Sequence, residues 1–219
     1  MGCAGVIVAA GSSRRMGFDK LAASLDGVPV LRRSVERLMA VPEITRVIVV
    51  CAEDRFRELL GGAFAKELSR VDGGAERQDS VLAGLEALQG DDELVAVHDG
   101  ARPLVEPSDI SSAIAAASAH GAATLARPAT ETLKRADASG IVVESVDRQG
   151  LWFTETPQVF RASLLREAYE AVEKGGLHVT DEVSAAESIG LPVRIVPSSR
   201  PNPKITVPAD LDLATALLR

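Results

Sequence analysis

Gly5-Val6-Ile7-Val8-Ala9-Ala10-Gly11-Ser12-Ser13-Arg14-Arg15-Met16-Gly17, with Lys20 close behind, is the stretch whose reading decides the fold. Its first half is an apolar run rich in Val and Ile and bounded by Gly, the pattern of a buried parallel strand. The small residues that follow let the backbone approach a ligand closely. Arg14, Arg15 and Lys20 bring cations to the same turn. Backbone N–H groups beside Arg and Lys suit a polyphosphate.

Outward from that loop, strand and helix signals alternate. Residues 29–39 predict a helix with Val30, Leu31, Ser34, Val35, Leu38 and Met39 on one face. Residues 45–51 predict a second strand, and 54–66 a helix weakened by Gly61-Gly62. A short strand at 70–72 ends in Gly73-Gly74, and 76–89 form an amphipathic helix. A strand at 94–97 ends in His98-Asp99-Gly100-Ala101-Arg102-Pro103, followed by a helix at 107–120 and a strand at 122–126. This order implies an α/β fold, with a mostly parallel sheet and helices on both faces. Ligands in such sheets bind beyond the carboxyl ends of the strands. The loops at 11–20, 73–80 and 99–102 therefore share one rim.

Residues 128–157 break the alternation. Thr132-Leu133-Lys134-Arg135 and Ile141-Val142-Val143-Glu144-Ser145-Val146 flank Asp137-Ala138-Ser139-Gly140, the pattern of a β-hairpin. A second turn at 147–150 leads to residues 151–156, which include Trp152 and Phe153. Adjacent aromatics on a protruding arm fit a subunit contact, and an edge hairpin packed on its own domain fits the same pattern. Helices follow at 161–174 and 181–189, then a strand at 193–196. A polar loop carries Lys204, and a last helix spans 208–218. No linker or repeat interrupts the chain, so a single domain over 1–219 is expected, with the arm at about 128–153.

Composition narrows the function. With 219 residues and 46% hydrophobic content, the chain is long and apolar enough for a sizeable core. Its net charge of −7 argues against a general nucleic-acid binder. Neither a membrane span nor a signal peptide is legible, and Gly2 is followed at position six by Val rather than Ser or Thr. A cytoplasmic enzyme is expected. Cys3 and Cys51 read as small buried residues, and three scattered histidines do not make a zinc site.

The motifs exclude several chemistries. Gly11 is followed by Ser12-Ser13-Arg14, so the second Gly of a dinucleotide fingerprint is missing, although Glu53 sits where a ribose partner belongs. A P-loop Gly-Lys-Ser/Thr is absent, and His98 lacks a nucleophile elbow. What remains is a Gly/Ser loop with Arg14, Arg15 and Lys20 facing Asp99 and Arg102 across the rim. A carboxylate ending a buried strand suits a magnesium ion or a ribose hydroxyl.

These residues match a known family. Ala9-Ala10-Gly11-Ser12-Ser13-Arg14-Arg15-Met16 resembles the nucleotidyltransferase signature. Gly73-Gly74-Ala75-Glu76-Arg77-Gln78-Asp79-Ser80-Val81, Val97-His98-Asp99-Gly100-Ala101-Arg102-Pro103, Thr132-Leu133-Lys134-Arg135, Val146-Asp147-Arg148, Thr156-Pro157-Gln158, Thr180-Asp181-Glu182 and Lys204-Ile205-Thr206 follow in order. Together the set resembles the 2-C-methyl-D-erythritol 4-phosphate cytidylyltransferase family over nearly the whole chain.

The resemblance implies a Rossmann-like nucleotidyltransferase fold. It also implies transfer of a cytidylyl group from CTP to methylerythritol phosphate, a magnesium ion, and a homodimer whose arms reach the partner's site. On that basis Arg15 and Lys20 act on the CTP phosphates, and Ala9, Ala10 and Gly11 cradle the nucleotide. Gly74 and Ser80 read the cytosine, while Asp99 and Ala101 meet the ribose and metal. Thr132, Arg148, Thr156 and Lys204 hold the acceptor phosphate, with Arg148 and Lys204 also counted as catalytic. Two departures stand out: Ser13 replaces a Gly, and Ala75 stands where many members carry Asp. A ribitol-5-phosphate cytidylyltransferase and a non-catalytic nucleotide-binding protein on the same fold are the alternatives.

Overall fold

The opening apolar run forms an interior strand of a seven-stranded sheet. The computed structural model describes residues 2–11 and 17–218. In chain order the strands are β1 (Gly2–Val8), β2 (Ser24–Leu25), β3 (Val28–Pro29), β4 (Ile44–Val50), β5 (Glu67–Val71), β6 (Asp92–Asp99), β7 (Ala122–Pro128), β8 (Leu133–Ala136), β9 (Val142–Val146), β10 (Trp152–Arg161) and β11 (Arg194–Pro197). The helices are α1 (Val30–Met39), α2 (Glu53–Leu59), α3 (Arg77–Glu86), α4 (Pro107–His120), α5 (Ala162–Gly175), α6 (Glu182–Glu187) and α7 (Pro208–Leu217).

The sheet order is β11-β7-β10-β6-β1-β4-β5. Pairings of β1 with β4 and β6, of β4 with β5 and of β11 with β7 are parallel, and β10 runs antiparallel to both its neighbours. The chain moves outward from β1 through β4 to β5, then returns to the other side of β1 with β6. That reversal is a topological switch point, where a crevice opens beyond the strand ends.

Period-two alternation sorts the strand side chains onto two faces. Ile7, Val47, Val49, Leu94 and Ala96 pack with α1 and α4 on one face. Val6, Ile48, Val50, Val95 and Val97 pack with α3, α5 and α6 on the other. Cys3 and Cys51 are buried thiols, which burial pushes up to about 12 and about 11 respectively.

Three expectations are corrected. The second helix ends at Leu59 rather than near residue 66, because Gly61-Gly62 follows and Gly62 takes a φ of +102°. The predicted segment at 151–156 is the start of a ten-residue strand that enters the main sheet. Its apolar Val159 and Phe160 are fully buried, and that burial draws the chain back between β6 and β7. A short β2–β3 ladder also forms just before α1, and it takes Pro29, which was expected to open that helix.

The arm is a separate two-stranded ladder of β8 and β9. Its base is held by Trp152 against Pro128 and Phe153 against Arg127. Ile141, Val142 and Val143 are 64%, 58% and 57% exposed, so the hairpin builds no core of its own.

Helix α3 lies unusually close to β1. A Cβ added at Gly84 would meet Val6 Cγ1 at 2.4 Å, whereas one at Gly90 would meet nothing within 4 Å. Gly84→Ala is expected to lower the unfolding free energy by about 1–3 kcal/mol despite its better helix propensity. Gly90→Ala should stay within about 0.5 kcal/mol of the parent. Urea titration of both variants checks this, and equal midpoints would refute the close packing.

Candidate active site

A cleft of about 610 Å³ opens at the switch point. The loop after β1 supplies Ala9, Ala10 and Gly11, the segment after β5 supplies Gly74 and Ala75, and the end of β6 supplies Asp99, Gly100 and Ala101. These loops touch because their residues are small: a Cβ on Gly73 would fall 2.4 Å from that of Ala10. Ser80, buried at the start of α3, accepts from Gly74 N–H at 3.3 Å and donates to Glu76 C=O at 3.1 Å. Its hydroxyl therefore shapes the loop. A smaller compartment of about 190 Å³ adjoins, lined by Arg102, Glu155, Thr156, Gln158, Thr180 and Asp181. Arg77, Asp99 and Lys204 line both spaces.

Asp99 is the electrostatic centre. Lys204 Nζ lies 2.9 Å from Oδ2, Arg102 Nε 3.5 Å from Oδ2, and Arg77 Nε 3.5 Å from Oδ1. Burial by itself would raise the Asp99 pKa, but Lys204, Arg77 and Arg102 hold it well below the usual carboxylate range. Arg77 is in turn gripped bidentately by Glu182, at 2.7 and 3.0 Å, and Glu182 accepts from Tyr169 O–H at 3.1 Å. Burial opposes the Arg77 charge, yet Glu182 and Asp99 keep its pKa above the ordinary value. Lys20 Nζ donates to Ile205 C=O at 2.8 Å, and Ile205 N–H donates to Ala101 C=O at 2.9 Å. Those two bonds draw the Lys204 loop over the cleft.

Under Asp99 lies a neutral network. Thr156 sits where the register of β10 against β7 shifts. Its Oγ1 accepts from Asp99 N–H at 3.1 Å and bonds His98 Nδ1 at 3.0 Å. His98 Nε2 faces Arg102 C=O at 3.0 Å, an acceptor only. The ring is thus assigned as the Nε2–H tautomer, with Thr156 O–H donating to Nδ1. Burial pushes His98 down to about 4.

Most of the predicted residues converge. Ala9, Ala10, Gly11, Lys20, Gly74, Ser80, Asp99, Ala101 and Lys204 line the larger cleft, and Thr156 lines the smaller one. Arg14 and Arg15, together with Ser13, lie outside the described residues. Thr132 and Arg148 are exposed on the arm and line neither space. Arg148 donates to the carbonyl of Thr130 in the same arm.

The sequence model of the family described as IspD: 2-C-methyl-D-erythritol 4-phosphate cytidylyltransferase matches residues 3–219. The chain belongs to this family. A 2-C-methyl-D-erythritol 4-phosphate cytidylyltransferase from Pelotomaculum thermopropionicum is 42% identical, over 99% of this chain and 94% of that protein. A chloroplastic one from Oryza sativa subsp. japonica is 40% identical, over 97% of this chain and 73% of that protein. The crystal structure of 4-diphosphocytidyl-2C-methyl-D-erythritol synthase from Anaerococcus prevotii superposes with a TM-score of 0.87 at 28% identity, covering 99% and 96% of the two chains. The protein is a CTP-dependent nucleotidyltransferase of isoprenoid biosynthesis, with the mostly parallel nucleotidyltransferase fold.

Within this cytidylyltransferase, sequence reasoning left Arg77, Glu182, His98 and Glu155 without roles. Arg77 and Glu182 stand in motifs already singled out, but their ion pair spans 105 residues and no local pattern announces it. Glu155 is buried with Ser198 Oγ donating to it at 2.8 Å.

The neutral His98 ring has a stability consequence. An unfolded histidine protonates near 6.5, whereas this ring does so only near about 4. Between these values the unfolded chain binds the extra proton, so stability falls as pH drops through that window. The loss attributable to His98 is up to about 3 kcal/mol. Denaturant unfolding at pH 6.5 and pH 4 should show this loss in the parent and much less of it in His98→Asn, which does not titrate.

Proposed function

We propose that this chain transfers the cytidylyl group of CTP to 2-C-methyl-D-erythritol 4-phosphate, forming 4-diphosphocytidyl-2-C-methyl-D-erythritol and pyrophosphate. One observation carries the residue roles: two compartments meet at Arg77, Asp99 and Lys204. CTP occupies the larger one, with Ala9, Ala10 and Gly11 along the nucleotide and Gly74 and the loop braced by Ser80 at the cytosine. The acceptor occupies the smaller one beside Thr156, with its phosphate turned toward Lys204. The two reactants then face each other across Asp99 and Ala101.

The nucleophile is a phosphate oxygen that is already anionic at neutral pH, so no general base is required. That oxygen forms a bond to the α-phosphorus of CTP. The bond from this phosphorus to the bridging oxygen breaks, and its electron pair leaves with pyrophosphate. The obstacle is repulsion between two anions, together with charge gathering on the α-phosphate oxygens. Lys20 and Lys204, with Arg15 and the partly buried Arg77 and Arg102, neutralise that charge in a preorganised site.

Asp99 also fits a magnesium ion. It is strongly ionised, and no group of three or more His, Cys, Asp or Glu gathers among the described residues. One carboxylate without a protein cage suits magnesium, which takes its other ligands from substrate phosphates and water. When bound, the ion supplies Lewis-acid neutralisation of phosphate oxygens.

The arm completes the reading. Thr132 and Arg148 stand outside their own cleft, and Ile141, Val142, Val143, Trp152 and Phe153 leave an apolar surface exposed. A lone two-stranded hairpin is marginal in water, so a homodimer in which each arm lies against the partner and brings Thr132 and Arg148 to its acceptor compartment accounts for both facts. No described helix is long and apolar enough to cross a membrane, and the phosphorylated substrates fit a cytoplasmic enzyme.

Lys20→Ala is expected to reduce turnover by roughly 10²–10³ while the protein stays folded. A near-parental rate in a coupled pyrophosphate assay would refute the electrostatic role. In the same assay, release with methylerythritol phosphate should exceed release with ribitol 5-phosphate by at least about tenfold. The reverse ranking would reassign the acceptor.

A further inference from the structure

We propose that Arg55, on the helix after β4, is a positioning residue that sets the backbone of the nucleotide loop from its far side. Arg55 Nη1 donates to Ala9 C=O and, at 3.3 Å, to Gly11 C=O. Its Nε and Nη2 each lie 3.0 Å from Asp19 Oδ2. Asp19 in turn accepts from Leu21 N–H through Oδ1 at 3.0 Å, and its C=O accepts from Ala22 N–H at 3.1 Å. One guanidinium therefore joins the start of the loop, at Ala9–Gly11, to its end, at Asp19–Leu21. Lys20 is carried between two anchored residues.

This arrangement differs from an ordinary surface ion pair. The Arg55 side chain is 16% exposed, and besides its ion pair with Asp19 it donates to two main-chain carbonyls that border the cleft. In a trans peptide the C=O and the following N–H point opposite ways. Holding the Ala9 carbonyl on the Arg55 side turns the Ala10 N–H away from it, and Ala10 lines the cleft. The rigid fork of arginine can serve two carbonyls and a carboxylate together, which a lysine cannot. Two residues on, Arg57 pairs only with Glu53 in solvent among the described residues, at 78% and 65% exposure, and provides an internal control.

The inference rests on the reading that CTP lies against Ala9–Gly11. Its test is CTP affinity by calorimetry, with KM for each substrate and the melting temperature, in the parent, Arg55→Ala, Arg55→Lys and Arg57→Ala. CTP binding should weaken by at least about tenfold in both Arg55 variants, with the acceptor KM changed by less than about twofold. Added guanidinium ion should partly restore CTP affinity in Arg55→Ala, and Arg57→Ala should match the parent. Parental CTP affinity in both Arg55 variants would overturn the anchor and leave the nucleotide site standing. Equal losses for CTP and acceptor, without rescue, would reduce Arg55 to a general structural role and also overturn it. Should Arg55→Ala not fold, Arg55→Lys decides. Failure of the parent itself to bind CTP would overturn the nucleotide reading and this inference with it.

Discussion

Everything in the cleft is arranged around one buried carboxylate held by three cations. Asp99 ends the buried run of β6, where an unpaired charge would cost several kcal/mol. Lys204, Arg102 and Arg77 remove that cost. Together they set three positive charges against the one on Asp99, and with Glu182 pairing Arg77 the cluster keeps a net positive charge at the cleft. Glu182 and Tyr169 share the load on Arg77 from the interior, so the guanidinium is aimed before any ligand arrives.

The sheet makes this cluster unavoidable. Reversal of strand order at β1 leaves the ends of β1 and β6 side by side, with Val8 paired to Asp99. Burial of β10 beside β6 then places Thr156 under Asp99, where its hydroxyl and His98 complete a neutral network. The same strand emerges as one side of the arm. A single β-strand thus ties the interior of the cleft to the exposed arm.

Much of the fold was legible. The Val/Ile-rich runs of β1, β4 and β6, bounded by turn residues and alternating with helices, read as buried parallel strands, and the spacing in α1 and α3 marked residues that those helices bury. The convergence of Gly11, Gly74 and Asp99 on one cleft was legible too, because they sit where strands end. β10 was only half read: its exposed Trp152 and Phe153 resemble the arm, and its interior half carries Gln158 and Pro157, which weaken a strand signal. Ser80 and Thr156 were read as substrate contacts; they line the two compartments, and their hydroxyls also hold the backbone there, which no local pattern announces.

Sequence alone determined the layer architecture, the rim at which the cleft opens, and the family to which the ordered motifs belong. These depend on local periodicity and on small residues at strand ends, which each short window carries within itself. Only the tertiary structure decided that Arg77 meets Glu182, that Arg55 reaches the carbonyls of Ala9 and Gly11, and that Lys204 closes on Asp99. Those are pairings between distant segments. Charge attracts charge at any sequence separation, and packing of the sheet selects which partners come within reach.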